Sequence, residues 1–257
     1  MECPAGVPPP IDVRPGAGDR HDRGDPSLPR PANRVSATAS HPLGLFDRLA
    51  VYLVADPDQT TLDLVPAVDA ALEGGVTAVQ LRAKRLGDRD AFALACRLRD
   101  LCRTHGALLV VNDRLDLALA ADADGVHLGV ADLPLAIARR IAGPGVVLGF
   151  SPETVEQAIA ATAAGADYIG VGPVFVTHSK DDAAPPIGLA GVADFAVTVG
   201  VPTIGIGGIT AETAADVVRA GAAGVAVIGA ILRSNDPRAA ARRLATAVRL
   251  GPNPATQ

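Results

Sequence analysis

The sequence predicts an α/β protein of one domain, a TIM-type (β/α)8 barrel, preceded by a disordered N-terminal tail. Short apolar runs alternate with longer amphipathic stretches from Leu49 onward, the pattern of βα units around a parallel sheet. The apolar runs number eight, over roughly 200 residues, which is the closure number and size range of that barrel. The alternative is an open doubly wound sheet; against it, no GxGxxG opens the first helix.

The predicted strands are LAVYLVA (49–55), VTAVQLR (76–82), ALLVVN (107–112), GVHLG (125–129), GVVLGF (145–150), DYIGVG (167–172), PTIGIG (202–207) and GVAVIG (224–229). Between them run helical stretches such as DLVPAVDAALEGG, DRDAFALACRLRDLCRTHG, SPETVEQAIAATAAGA and TAETAADVVRAGA. Several close on Gly, where a helix end favours a left-handed residue. The barrel is expected over 46–250, with 251–257 as a flexible C-terminus. Residues 1–45 are rich in Pro, Gly, Arg, Asp and Ser without apolar periodicity, as in MECPAGVPPP and DRHDRGDPSLPRPANR. Such a segment buries too little to offset its ordering entropy. It lacks the apolar stretch of a secretory signal, and its scattered aspartates argue against a mitochondrial transit peptide.

Composition narrows the function. The 257 residues are 49% hydrophobic and 20% charged, enough for one large core. A net charge of −5 gives no basic field for a nucleic-acid backbone, and no apolar run reaches the ~18 residues a bilayer span needs. With no Trp, two Tyr and five Phe, there are few aromatic platforms for bases or lipids, so a small polar ligand is expected. Cys3, Cys96 and Cys102 form no even-numbered framework, which fits a reducing cytoplasm.

Barrels of this type place reacting groups at the C-terminal ends of their strands. Here the second strand ends in Gln80, Arg82 and Lys84, the third in Asn112 and Asp113, and the fourth leads to His127 and Asp132. The fifth ends at Ser151, and the sixth runs into Thr177, Ser179 and Lys180. The seventh and eighth end instead in the glycine-rich turns GIGGIT and VIGAIL, whose backbone amides suit a phosphate as well as a tight turn. Arg82, Lys84 and Lys180 exceed the positive charge one monophosphate needs, which implies a second, larger anion. Asp113 and Asp132 beside that anion call for a bridging divalent cation, with magnesium the natural choice; an Asx turn or helix cap accounts equally well for Asn112–Asp113 alone. His127 sits within an alternating strand and reads more readily as structural than catalytic. No HExxH spacing and no GxSxG elbow occurs.

In order, QLRAK, VNDRLDLAL, ADGVHLG with its trailing Asp132, GFS, GADYIGVGPVFVTHSK, VPTIGIGGIT and GAAGVAVIGAI resemble the thiamine-phosphate synthase family over essentially the whole barrel. The resemblance implies Mg2+-assisted joining of a pyrimidine methyl diphosphate to a thiazole ethyl phosphate, or its carboxylated precursor, giving thiamine monophosphate and pyrophosphate. It also implies roles. Gln80, Leu81, Arg82, Ala83, Lys84 and Asn112 would cradle the pyrimidine diphosphate, with Arg82 and Lys84 on its phosphates. Asp113 and Asp132 would hold Mg2+. Ser151 would bond the pyrophosphate, and Thr177, His178 and Ser179 would hold the thiazole substrate. Lys180 would meet the departing pyrophosphate under a mobile cover, DDAAPPIG, and Gly208, Ile228 and Gly229 would offer amides to the thiazole phosphate.

This chain departs from the family pattern at several places. Val130 and Ala131 stand where Gln-Glu is common, His178 and Ser179 where Thr-x-Thr is usual around that centre, and Gly229 where Ser is frequent. Two rival readings keep the phosphate site. A thiazole tautomerase-like isomerase would have a His shortly after the fifth strand and lack the metal aspartates, whereas this chain has GFSPET there and keeps both aspartates. The other rival is a non-catalytic barrel that binds thiamine phosphates. The expected partners are small molecules, with no nucleic acid and no membrane; a homo-oligomer is compatible with the sequence.

Overall fold

Every predicted strand forms within two residues of its expected ends. The computed structural model describes residues 44–177 and 184–251; the expected tail up to residue 43, the segment 178–183 and the residues after 251 lie outside the described residues. The strands are β1 (Val51–Ala55), β2 (Ala78–Leu81), β3 (Leu108–Asn112), β4 (Gly125–Gly129), β5 (Val147–Ser151), β6 (Tyr168–Val171), β7 (Thr203–Ile206) and β8 (Gly224–Val227). They close a barrel in chain order, all pairs parallel, with β8 returning to β1 through Val51 and Val225. The ladder outruns the strand assignments: Thr77 N–H donates to Val51 O (2.9 Å) and Arg82 N–H to Ala55 O (3.0 Å).

The helices are α1 (Leu45–Arg48), α2 (Leu64–Glu73), α3 (Asp88–His105), α4 (Leu115–Ala120), α5 (Leu135–Ala142), α6 (Val155–Ala163), α7 (Gly188–Thr198), α8 (Ala214–Arg219), α9 (Gly229–Leu232) and α10 (Pro237–Arg249). Local chemistry sets their ends. Asp236 caps α10 by accepting from Ala239 N–H at 2.9 Å, with Pro237 behind it, and Thr154 caps α6 by accepting from Gln157 N–H at 3.3 Å. Gly106 ends α3 at φ 70°, a conformation that favours glycine. The VIGAIL stretch is more than a turn, since Ile228 leads into the single helical turn of α9.

The core lies in two shells. Alternate strand residues fill the barrel interior, where Leu49, Tyr52, Ala78, Leu108, Val110, Tyr168, Ile204 and Ala226 pack together. The intervening residues, among them Leu53, Val79, Leu109 and Val225, face the helices. Each buried Leu, Val or Ile contributes on the order of 2 kcal/mol, so this double burial explains why the strands read as near-continuous apolar runs. Cys102 belongs to the outer shell, and burial pushes its thiol up to about 12. No helix among the described residues is long and apolar enough to cross a membrane.

Candidate active site

Strand register builds one wall of the barrel mouth. Asn112 pairs with His127, His127 with Gly149, and Gly149 with Tyr168, so three side chains and one bare Cα share a layer. The missing side chain matters, because a Cβ at Gly149 would overlap both the Tyr168 phenol and the His127 ring. Gly170, two residues beyond Tyr168 on β6, likewise leaves room for His127 and Ser151. In the space these glycines leave, His127 Nε2 lies 2.8 Å from Ser151 Oγ and His127 Nδ1 lies 3.0 Å from the Tyr168 hydroxyl. Tyr168 in turn meets the Tyr52 hydroxyl at 2.8 Å, and Gln80 Nε2 donates to Tyr52 at 3.0 Å. Five residues from five strands are therefore linked by continuous hydrogen bonds. Burial raises both phenols well above the usual tyrosine range, so they keep their protons.

Charge is concentrated beside this wall. Lys84 Nζ lies 3.4 Å from Asp113 Oδ2, both partly exposed. Asp113 holds a left-handed backbone at φ 64°, uncommon outside glycine but tolerated by Asp, and its N–H donates to His127 O at 2.8 Å. Its carboxyl is raised above the ordinary range, first by burial and then by the nearby negative charge of Asp132, while Lys84 acts the other way. Asp132 is fixed by its own loop, Oδ2 accepting from Gly129 N–H at 2.7 Å. A cavity of about 290 Å3 opens here, lined by Leu81, Ala83, Lys84, Asn112 and Asp113 among others. Leu81 is buried and Ala83 packs against the core, so these two supply framework rather than polar groups.

Arg82 is placed differently from Lys84. Its guanidinium pairs with Asp56, a carboxylate that is 1% exposed and also caps the turn Pro57–Gln59 by accepting from Asp58 N–H at 2.9 Å. The pair fixes the Arg82 side chain at the end of β2 and occupies some of its donor capacity. Asp56 was not legible as a site residue, because nothing in the sequence links it to a residue 26 positions on.

The opposite side of the mouth is built from backbone. Gly207 and Gly208 both take positive φ (98° and 66°), and a Cβ on either would strike the segment after β6. That segment extends the pairing of β7: Val174 N–H donates to Ile206 O at 2.9 Å and Phe175 N–H to Gly207 O at 3.0 Å. Its far end returns, with Ile187 N–H donating to Pro173 O at 2.8 Å. The long polar connection is thus pinned at both ends to the rim. Thr177 is half-buried at its start; His178, Ser179, Lys180 and the opening residues of DDAAPPIG lie outside the described residues. Ile228 caps α9 and Gly229 is its first residue, with the Arg233 side chain lying back over Gly229.

The donor set suits a hard divalent cation. Among the described residues no three His, Cys, Asp or Glu side chains gather as a metal cluster. Asp113 and Asp132 are nonetheless close enough for one to raise the other's proton affinity, and Mg2+ is commonly held by one or two carboxylates with water and substrate phosphates completing its shell.

Comparison with known proteins places the chain. The family model for thiamine monophosphate synthase matches residues 51–231. The thiamine-phosphate synthase of Roseiflexus sp. (strain RS-1) is 54% identical over 181 residues, 70% of this chain and 77% of that protein. The thiamine biosynthesis bifunctional protein of Symbiobacterium thermophilum is 49% identical over 86% of this chain, which spans only 44% of that longer protein. Among solved structures, the thiamine phosphate pyrophosphorylase of Pyrococcus furiosus superposes with a TM-score of 0.74 at 38% identity, covering 80% of this chain and 98% of that one. With the barrel, the ordered strand ends and these similarities in agreement, the chain belongs to the thiamine-phosphate synthase family of transferases.

Proposed function

We propose that the barrel mouth joins a pyrimidine methyl diphosphate to a thiazole ethyl phosphate, releasing pyrophosphate and forming thiamine monophosphate. The observation that carries the reading is the grouping of Lys84, Asp113 and Asp132, a cation paired with one of two mutually repelling carboxylates. Acidic groups that oppose each other in this way make a poor resting arrangement and a good seat for a cation-bound diphosphate.

In this reading Asp113 and Asp132 hold Mg2+, which when bound neutralises charge on the departing diphosphate. Lys84, Lys180 and Arg82 face the same oxygens, with Asp56 keeping Arg82 in place. Ser151 donates to the pyrophosphate. Gln80 and Asn112 orient the pyrimidine ring, and its C–O bond ionises to a methylene cation that the thiazole nitrogen captures. No side chain has to remove a proton. The residues accelerate the step by stabilising the leaving anion and aligning the nucleophile, effects capable of several kcal/mol each. Thr177, His178 and Ser179 hold the thiazole, and the amides of Gly208, Ile228 and Gly229 take its phosphate. In this reading the segment DDAAPPIG, whose first residues lie outside the described residues, would serve as the cover that excludes water.

Pyrophosphate release tests the proposal, measured with both precursors and Mg2+ and with each omitted in turn. Release that needs all three, with thiamine monophosphate as co-product, is the expected result. Release from the pyrimidine diphosphate alone at the full rate would contradict it.

A further inference from the structure

The hydrogen-bonded row across the barrel has a direction, and one residue sets it. Gln80 Nε2 can only donate, so the Tyr52 hydroxyl accepts from it and has its own proton left to give (3.0 Å). That proton goes to the Tyr168 oxygen at 2.8 Å, which leaves the Tyr168 proton for His127 Nδ1 at 3.0 Å. With Nδ1 accepting, a neutral His127 carries its hydrogen on Nε2 and donates to Ser151 Oγ at 2.8 Å. Ser151 has then accepted this bond, and its own hydrogen is turned away from His127.

Reversal of the row is blocked at its buried end. Were Ser151 to donate to His127 instead, Tyr52 would have to accept from both Tyr168 and Gln80, and its own hydrogen would be left with no partner along the row. Tyr52, Tyr168 and Gln80 are 2%, 0% and 6% exposed, so no bulk water is at hand to take up that hydrogen. Gly149 and Gly170 carry no side chain that could interrupt the row.

We propose that Tyr52, Tyr168 and His127 are positioning residues that keep the Ser151 hydroxyl hydrogen directed at the leaving pyrophosphate, with Gln80 as the fixed donor that orients them. The inference rests on the reading of Ser151 as a pyrophosphate donor. It assigns a joint task to residues that otherwise look like core aromatics and a structural histidine. It also couples the two ends of the site, because the Gln80 amide oxygen and second N–H remain for the pyrimidine ring while its bonded N–H governs a hydroxyl on β5.

A double-mutant cycle on kcat tests it, using Tyr168→Phe, Ser151→Ala and the double variant of the full chain. Tyr168→Phe keeps the ring and removes only the relaying hydroxyl. It is expected to lower kcat by about tenfold, leaving KM for the thiazole phosphate within about twofold. The double variant should be no slower than Ser151→Ala alone, because both changes remove the same oriented hydrogen. Rescue gives a second arm, since His127→Gln keeps an N–H donor toward Ser151 and should retain more kcat than His127→Leu. If Tyr168→Phe fails to fold, Tyr52→Phe breaks the row one bond earlier with the same expectation. Losses that multiply in the double variant, or wild-type kcat in a folded Tyr168→Phe enzyme while Ser151→Ala is slow, would overturn the relay alone. Wild-type kcat in Ser151→Ala would instead remove the pyrophosphate role of Ser151 and the relay with it.

Discussion

The two sides of the barrel mouth are made of different material. From β2 to β5 the strand ends carry side chains: Lys84, Asn112, Asp113, His127 and Ser151. From β7 to β8 they carry glycine, with Gly207 and Gly208 in left-handed backbone and Gly229 opening α9. The difference matches the ligands proposed for each. A diphosphate that must depart with a cation calls for mobile charges and carboxylates, whereas a monophosphate that only has to be held is served by fixed amides that carry no counter-charge of their own. On that proposal the first side would be tunable by titration and metal, and the second only by shape.

Substitutions on each side separate the two. The largest effect is expected from Lys84→Ala, which removes a charge from the diphosphate side and should lower turnover by more than about tenfold with little change in KM for the thiazole phosphate. Next comes Gly208→Ala on the other side. At φ 66° with the Val176 carbonyl in the way of a Cβ, this change must shift the turn, and KM for the thiazole phosphate should rise by about tenfold while the Mg2+ requirement stays put.

Asp113→Asn should raise the Mg2+ concentration needed for half-maximal rate by several-fold, an order-of-magnitude expectation. It has a pH signature as well. The folded carboxyl is raised above its unfolded value, so its stabilising contribution belongs to the protonated form and is lost as pH rises through the folded pKa. Metal-free Asp113→Asn should therefore melt higher than metal-free wild type at neutral pH, with the gap closing below about pH 4. Asn also tolerates the left-handed backbone there, so the comparison isolates charge. Thermal melts across pH check this. The smallest effect is expected from Gly229→Ser, where the atoms nearest a new Cβ belong to the Arg233 side chain, the first at 3.2 Å; KM for the thiazole phosphate should change by less than about twofold.

Much of this arrangement was legible in the sequence, for identifiable reasons. Strands buried on two faces must be apolar runs, so all eight could be read. Lys84, Asp113 and Ser151 stood out because a polar residue closing an apolar run has few structural reasons to be there. The relay was not legible. Tyr52 within VYLVA and Tyr168 within DYIGV are ordinary strand aromatics until barrel closure sets Gly149 between His127 and Tyr168. Periodicity does not say which inward residues of β1, β2, β4 and β6 meet, because shear and register do. Asp56 escaped for the same reason: it lies just past β1, and only closure brings it against Arg82.

The central claim, that the two sides bind two different anions by two different means, is most directly tested by calorimetric titration of the protein with inorganic pyrophosphate and, separately, with the thiazole ethyl phosphate, each with and without Mg2+. Pyrophosphate affinity should fall by about tenfold or more when Mg2+ is withdrawn, while thiazole phosphate affinity stays within about twofold. Equal Mg2+ dependence for both ligands, or none for either, would contradict the division.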